Sequence, residues 1–437
     1  MRAKLHRCLG FTSAYFILVG SVIGSGVFLV AAEIATAVPS PALALAVWVA
    51  AGLISLAGAL IFAELGAMYP AAGGQYVFLQ KAFHPVVSFL FGWALILVIQ
   101  TGSIAAVGVG FARFLSHFVP LAPTSMKIVA SLLIAALTLL NTRGVKAAAY
   151  FLDGVTSLKV VAILALVAAC LLLPHQSAEP LAAAPTTFSA LGVALIASFW
   201  AYDGWTSLSF VAGEIEKPQR NIPLASLAGI ASVTALYVLV NLGYYRVLAT
   251  ADIAHSSFVA ADAANAVLGG WGERALTVLV LLSAVGCING LILSGARVVY
   301  AMGRDGSLPA VCARVNAKTH TPDGALWLQC TWSLVLVWSG SYDELFTYVI
   351  FAAFLFYGLT ALAVMKLRRD HPLMARPYKV PLYPWLPFAY LAFTSWFMVN
   401  AFLEKPRESL AGLAILAVGL PFYHFRAKQI AASRITQ

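Results

Sequence analysis

The 437-residue chain is 61% hydrophobic and only 10% charged, with a mean hydropathy of +0.89. A soluble domain carries about 25% charged residues, so a water-soluble globule is excluded and an integral membrane protein is indicated. The net charge of +10 would by itself suit a nucleic-acid partner, but its distribution along the chain argues against one.

Apolar runs of roughly 20 residues predict membrane-spanning helices, because a barrel would show ten-residue alternation instead. In chain order they occupy 10–38, 41–68, 82–116, 124–141, 150–174, 187–212, 222–248, 271–301, 324–340, 343–366, 382–403 and 407–427. Residues 1–437 thus read as one all-α membrane domain of 12 transmembrane helices, with no polar stretch long enough for a soluble appendage. The first run is followed at once by another with no small-residue cleavage site between them, so it reads as a retained span.

With the N-terminus placed in the cytoplasm, 19 of the 27 Lys and Arg fall on cytoplasmic segments. Six lie at or near the outer face, and Lys159 and Arg297 lie within spans. The outer loops 175–186 and 249–270 contain neither Lys nor Arg. This is the positive-inside pattern, so the charge reports orientation rather than nucleic-acid binding. A multi-pass protein of a plasma (inner) membrane with both termini cytoplasmic is the expectation.

The five cysteines lie in spans or on cytoplasmic segments without a CxxC, so neither a disulfide framework nor a zinc site is implied. The eight histidines are scattered singly, and no P-loop, GxSxG or HExxH occurs. No metal, cofactor or catalytic centre is expected, and the chain does not read as an enzyme.

The first run contains "VGSVIGSGVFLVAA", residues 19–32. Gly20, Gly24 and Gly26 each weaken a helix interior by about 1 kcal/mol relative to alanine. Two readings fit this stretch. Gly20 and Gly24 form a GxxxG seam of the kind that packs helices closely. Alternatively, the helix breaks near mid-membrane, where its freed N–H end attracts anions and its freed C=O end attracts cations. Irregular backbone at that depth survives only where it lines a cavity, and such a break suits a zwitterion.

The sixth run tips the balance. "IASFWAYDGWTSLSFVAGE", residues 196–214, places Asp203 and Gly204 among Trp200, Tyr202 and Trp205. An acidic residue at membrane depth is expensive and usually functional. Inverted repeats put broken helices at matching places in two halves, and here the halves would be 10–174 and 187–368.

At these residues the chain resembles a known family. "GSVIGSGVF", "WAYDGW" followed by "EIEKPQRNIPLA", "FAELGAMYPAAGGQYVFLQKAF" and "LSAVGCINGLILSGARVVYAMGRDGSLP" resemble the L-type amino acid transporter family of the amino acid–polyamine–organocation superfamily, from residue 10 to about 370. The resemblance implies a five-plus-five inverted repeat with broken helices 1 and 6, plus two C-terminal helices (382–427). It also implies sodium-independent transport of L-amino acids, neutral ones foremost, by alternating access and exchange. Proton-coupled symport is the alternative within transport. A non-transporting membrane receptor or scaffold is the alternative outside it, and has no use for two mid-membrane breaks.

Carried over by motif, the substrate site comprises Val22, Ile23, Gly24, Ser25, Gly26, Trp200, Ala201 and Asp203. The N–H groups of Gly24, Ser25 and Gly26 would hold the α-carboxylate, and the carbonyls of Val22, Trp200 and Asp203 the α-ammonium. Trp200 matches the family's gate. Lys159, in "DGVTSLKVVAIL", matches the lysine that stands where related transporters hold sodium, with Gly20, Ser21, Ser283 and Cys287 as partners. The Asp203 carboxylate either caps a local N–H or selects cationic substrates, and capping is preferred. Glu64 and Arg297 read as members of gate or loop salt bridges. Relatives with an ancillary glycoprotein link it through a cysteine between spans 3 and 4. Here that loop, "SHFVPLAPT", has none, so no disulfide-linked heavy subunit is expected and the chain resembles a free-standing prokaryotic member.

Overall fold

A computed structural model describes residues 5–24, 26–173, 187–256, 258–339, 342–404 and 406–435. The described residues are helical and contain no strand beyond one isolated bridge, Leu9 with Ile215. The order is α1 (Phe11–Val22), α2 (Gly26–Ala37), α3 (Pro41–Met68), α4 (Gln75–Ala82), α5 (Pro85–Ala94), α6 (Gln100–Leu115), α7 (Pro123–Thr142) and α8 (Val145–Leu172). Then follow α9 (Phe188–Tyr202), α10 (Ser207–Phe210), α11 (Pro218–Val247), α12 (Thr250–His255), α13 (Val259–Leu268) and α14 (Gly270–Arg304). The last four are α15 (Asp323–Ser339), α16 (Tyr342–Asp370), α17 (Trp385–Glu404) and α18 (Pro406–Ile435). Prolines open α3, α5, α7 and α11 at their first turn, where the missing N–H costs nothing.

Seven helices among the described residues are long and apolar enough to cross a bilayer. The 12-span reading fails a length criterion at its first span for a physical reason: α1 and α2 have 12 residues each, about 18 Å at 1.5 Å per residue, against a hydrocarbon core of about 30 Å. The first apolar run is two half-helices. The sixth run is interrupted at Asp203 and Gly204, where the break was expected, and its second half is short. Helix α9 ends at Tyr202, a turn covers residues 203–206, and only the four-residue α10 follows. Three segments read as loops are also helical: α4 follows the turn after α3, and α12 and α13 fill most of 249–270. The loop 175–186, and Ser25, lie outside the described residues.

Helix α14 is the most buried of the long helices and runs through the middle of the bundle, whereas α7 and α8 leave most of their surface outward. Leu132, Leu158 and Val161 are exposed there, as expected of side chains that meet lipid. Half-helix α1 packs on α8, α11 and α14, and α2 packs on α9 and α12. The two interruptions therefore meet inside the bundle. Gly204 sits at φ +112°, and a Cβ built on it would lie 2.6 Å from the Ser21 carbonyl oxygen. Only glycine takes that backbone shape at that distance without displacing α1.

Candidate functional site

A helix that stops in the interior leaves its last four carbonyls without intrahelical partners. At the end of α1 these are met from three neighbouring helices. Lys159 Nζ, fully buried on α8, donates to the carbonyls of Gly20 at 3.0 Å and Ile23 at 2.5 Å. Ser283 Oγ on α14 donates to Ile23 at 3.0 Å, and lies 3.2 Å from the Gly24 carbonyl. Cys287 Sγ approaches the Ser21 carbonyl at 3.8 Å. The Tyr237 hydroxyl on α11 lies 3.2 Å from the Val22 carbonyl and 2.9 Å from that of Ala201, so one side chain ties both interrupted helices together.

These contacts refine the expected partners of Lys159. Gly20 is met, but Ser21 is served by Cys287, and the second carbonyl taken by the lysine is that of Ile23. Ser283 and Cys287 converge on the same run of carbonyls. Both readings of the glycines also hold a share of the truth. A Cβ on Gly20 would fall 2.6 Å from Thr156 Oγ1 and 3.0 Å from Leu152, so Gly20 is a packing glycine. Gly24 and Gly26 border the break.

Beside the break lies a cavity of about 90 Å³, room for on the order of six waters. Ser21, Val22, Gly24, Gly26, Trp200, Ala201, Asp203, Gly204 and Cys287 line one side. Val107, Ile196, Phe199, Leu291, Phe354 and Phe397 make most of the rest apolar, with Ser103 as a polar exception. The N-terminal turn of α2 begins at Gly26 on the wall, and an N-terminus of this kind attracts a carboxylate. The carbonyl ends of α1 and α9 supply the opposite polarity. One expected donor is turned inward: the Gly24 N–H bonds the Val22 carbonyl at 2.8 Å. The Trp200 carbonyl accepts from Asp203 N at 3.3 Å. Ile23 is fully buried and contributes through its carbonyl.

Asp203 follows α9 directly, and its Oδ1 accepts from the Tyr357 hydroxyl on α16 at 2.8 Å. That partner is a side-chain hydroxyl 154 positions away and not the local N–H of the expected cap. Trp200 is half-buried on the wall, its Cε3 3.5 Å from where a Gly26 Cβ would stand. Trp205 turns instead into the core against Phe62 and Tyr357.

Sequence reasoning missed Tyr237, Tyr357 and Ser103. Ser103 reaches the cavity from α6, just after a π-helical turn at Leu95–Ile99. Such turns mark functional sites often, but nothing in "LILVI" announces one. Glu64 and Arg297 do form ion pairs, each with a partner the sequence did not name. Glu64 accepts from Arg368 Nε at 2.9 Å and Nη2 at 2.5 Å, and from the Val380 amide at 2.7 Å. Arg297 donates from Nε and Nη2 to Glu214 at 2.8 and 3.1 Å, with both side chains buried. The Glu214 carbonyl in turn holds the amides of Cys8 and Leu9 at 2.9 and 3.0 Å, so the N-terminal segment is strapped beneath this pair.

Breaking a buried pair from one side leaves an uncompensated charge, at a cost of about 3–5 kcal/mol. We expect Arg297→Met to lower the melting temperature of the purified protein sharply. The double variant Glu214→Gln/Arg297→Met should recover most of the loss.

The sequence pattern of the amino acid permease family matches residues 9–420. The b(0,+)-type amino acid transporter 1 of Mus musculus is 30% identical over 96% of this chain and 88% of its own length. The large neutral amino acids transporter small subunit 2 of Mus musculus is 31% identical over 96% and 81%. The cystine/glutamate transporter of Homo sapiens is 29% identical over 97% and 86%. These are transporters and not enzymes. With a match over most of its length and two interrupted helices meeting at a buried cavity, the chain belongs to the amino acid permease family, within the amino acid–polyamine–organocation superfamily.

Proposed function

We propose that this multi-pass membrane protein exchanges L-amino acids, neutral ones foremost, across a plasma (inner) membrane without sodium, by alternating access. Amino-acid transport itself follows from the family and its relatives. The observation that carries the finer reading is the meeting of opposed helix ends at one cavity. The α2 N-terminus would take the α-carboxylate, and the carbonyl ends of α1 and α9 the α-ammonium. Recognition through main-chain groups selects what all amino acids share. The mostly apolar remainder of the wall, with Asp203 already engaged by Tyr357, favours uncharged side chains.

In this reading residues 10–174 and 187–368 are the inverted repeats, 382–427 adds two helices, and both termini are cytoplasmic. Ile196 and Phe199 precede Trp200 on α9 and flank the outer approach, so Trp200 closes over substrate from outside. The ion pairs Glu214–Arg297 and Glu64–Arg368 seal the cytoplasmic face, and inward opening requires that seal to part.

Proteoliposomes test this. Labelled neutral amino acid should enter faster when the vesicles are preloaded with unlabelled amino acid, and replacing sodium by choline should change nothing. Amino-acid methyl esters and α-keto analogues, each lacking one α-group charge, should compete poorly. Uptake indifferent to preloading overturns exchange, and equal competition by either analogue overturns the site.

A further inference from the structure

The loop between α16 and α17 encloses a basic pocket that shares no wall residue with the substrate cavity. A cavity of about 340 Å³ is lined by Arg368, Arg369, Pro372, Arg376, Lys379 and Tyr383. Its walls are held in place. Arg376, only 6% exposed, donates from Nη1 to the carbonyls of Pro372 and Met374 and from Nη2 to those of Leu367 and His371, at 2.8–3.2 Å. That fixes the loop to the end of α16. The Arg376 Nε is buried, has no hydrogen-bond partner, and stands 3.7 Å from the Glu64 carboxylate. Arg368 bonds Glu64 and lays its guanidinium 3.8 Å over the ring of Tyr383.

Five cations (Lys366, Arg368, Arg369, Arg376 and Lys379) face two carboxylates (Glu64 and Asp370) here. The surplus is positive, and arginine forks match phosphate oxygens. The rim identifies the source of the phosphate. Leu373 is 98% exposed, Leu382 74% and Trp385 75%. Bare leucines and a tryptophan at the end of a membrane helix belong at headgroup level, and basic pockets between such helices bind anionic lipid headgroups. A soluble anion would gain nothing from that rim. We propose that this pocket binds the phosphodiester of an anionic phospholipid, with the acyl chains leaving past Leu382 and Trp385.

The test compares the purified chain in nanodiscs of phosphatidylcholine alone and with phosphatidylglycerol added. The wild type is set beside Arg369→Glu/Lys379→Glu. Both side chains are exposed and neither bonds Glu64, so the fold has no need of them. Phosphatidylglycerol should raise the wild type's melting temperature and stay bound in native mass spectrometry. Retention should fall about tenfold or more in the double variant and return with Arg369→Lys/Lys379→Arg. Equal retention by wild type and double variant, or equal stabilisation by the two lipids, overturns the proposal. If inorganic phosphate added to phosphatidylcholine nanodiscs reproduces the stabilisation, the site takes a soluble anion and the lipid assignment fails.

Discussion

Gly26→Val is expected to lower substrate affinity by up to about 150-fold in a protein that still purifies as a single species. This is the largest effect expected at the cavity. A Cβ at Gly26 would stand 2.8 Å from the Ala201 Cα and 3.1 Å from its Cβ. The nearer obstacle is backbone, which cannot rotate aside, so the first turn of α2 must move off α9. Overpacking of this kind costs about 1–3 kcal/mol. The cost falls on the pair of helix ends that would hold the two α-groups of the substrate. If it is borne by binding, affinity drops by about 5- to 150-fold, and the two extra methyls of valine push it to the upper end. The damage thus comes from a wedge between helices more than from crowding of a carboxylate. Gly24→Ala is the contrast, since the nearest atom to its Cβ is Cys287 Sγ at 3.6 Å, an ordinary contact. Ligand-induced change in tryptophan fluorescence, read beside the elution profile, would measure both variants. Unchanged affinity in monodisperse Gly26→Val would remove Gly26 from the site.

The helices themselves were legible because long apolar runs bounded by proline and polar turns have few alternatives at membrane depth. The run 41–68 and helix α3 coincide, and α7, α14 and α15 lie within a residue or a few of their runs. The interruption after Val22 was legible for a different reason: three glycines in eight residues conflict with a span that should hold its helix. Asp203 was visible as a charge where none is cheap. Sequence could not show which element meets each freed carbonyl. Tyr237 sits in "LYVLVNLGYY" as one tyrosine among several, and only the crossing of α11 over both breaks gives its hydroxyl two carbonyls. The partners of Glu64 and Arg297 were hidden similarly. Arg368 is 304 positions from Glu64, and Glu214 is 83 from Arg297, so each pairing is a product of topology. The short helices α12 and α13 escaped because their alanine-rich, weakly apolar sequence resembles a loop beside the strong runs that flank it.

On the proposed exchange mechanism, Lys159 is the residue whose replacement tests how transport is driven. Its ammonium holds two carbonyls at the end of α1 from within α8, and the proposed sodium-independent mode rests on that fixed cation. Lys159→Ala does not strip both carbonyls equally. Ile23 keeps Ser283 Oγ at 3.0 Å, whereas Gly20 loses the lysine donor. A buried acceptor left alone costs about 1–3 kcal/mol, and the loss is concentrated where α1 is held to α8. Substrate groups were assigned to the neighbouring N–H and C=O ends rather than to the lysine, so affinity should change little. Turnover should fall about tenfold or more, because α1 no longer has one defined position to move between. Lys159→Gln, which keeps a donor without the charge, should recover part of the rate if the hydrogen bond matters, and none if the charge is what matters. Initial exchange rates and equilibrium binding, measured on the same preparations, separate these outcomes. A collapse of affinity with turnover intact would mean that the lysine touches substrate. Proton coupling is tested in the same series. An exchanger with a permanently charged lysine should run at nearly constant rate between about pH 6 and 8. Accumulation driven by an inward proton gradient alone, lost in Lys159→Ala while exchange persists, would replace exchange with symport as the working mode.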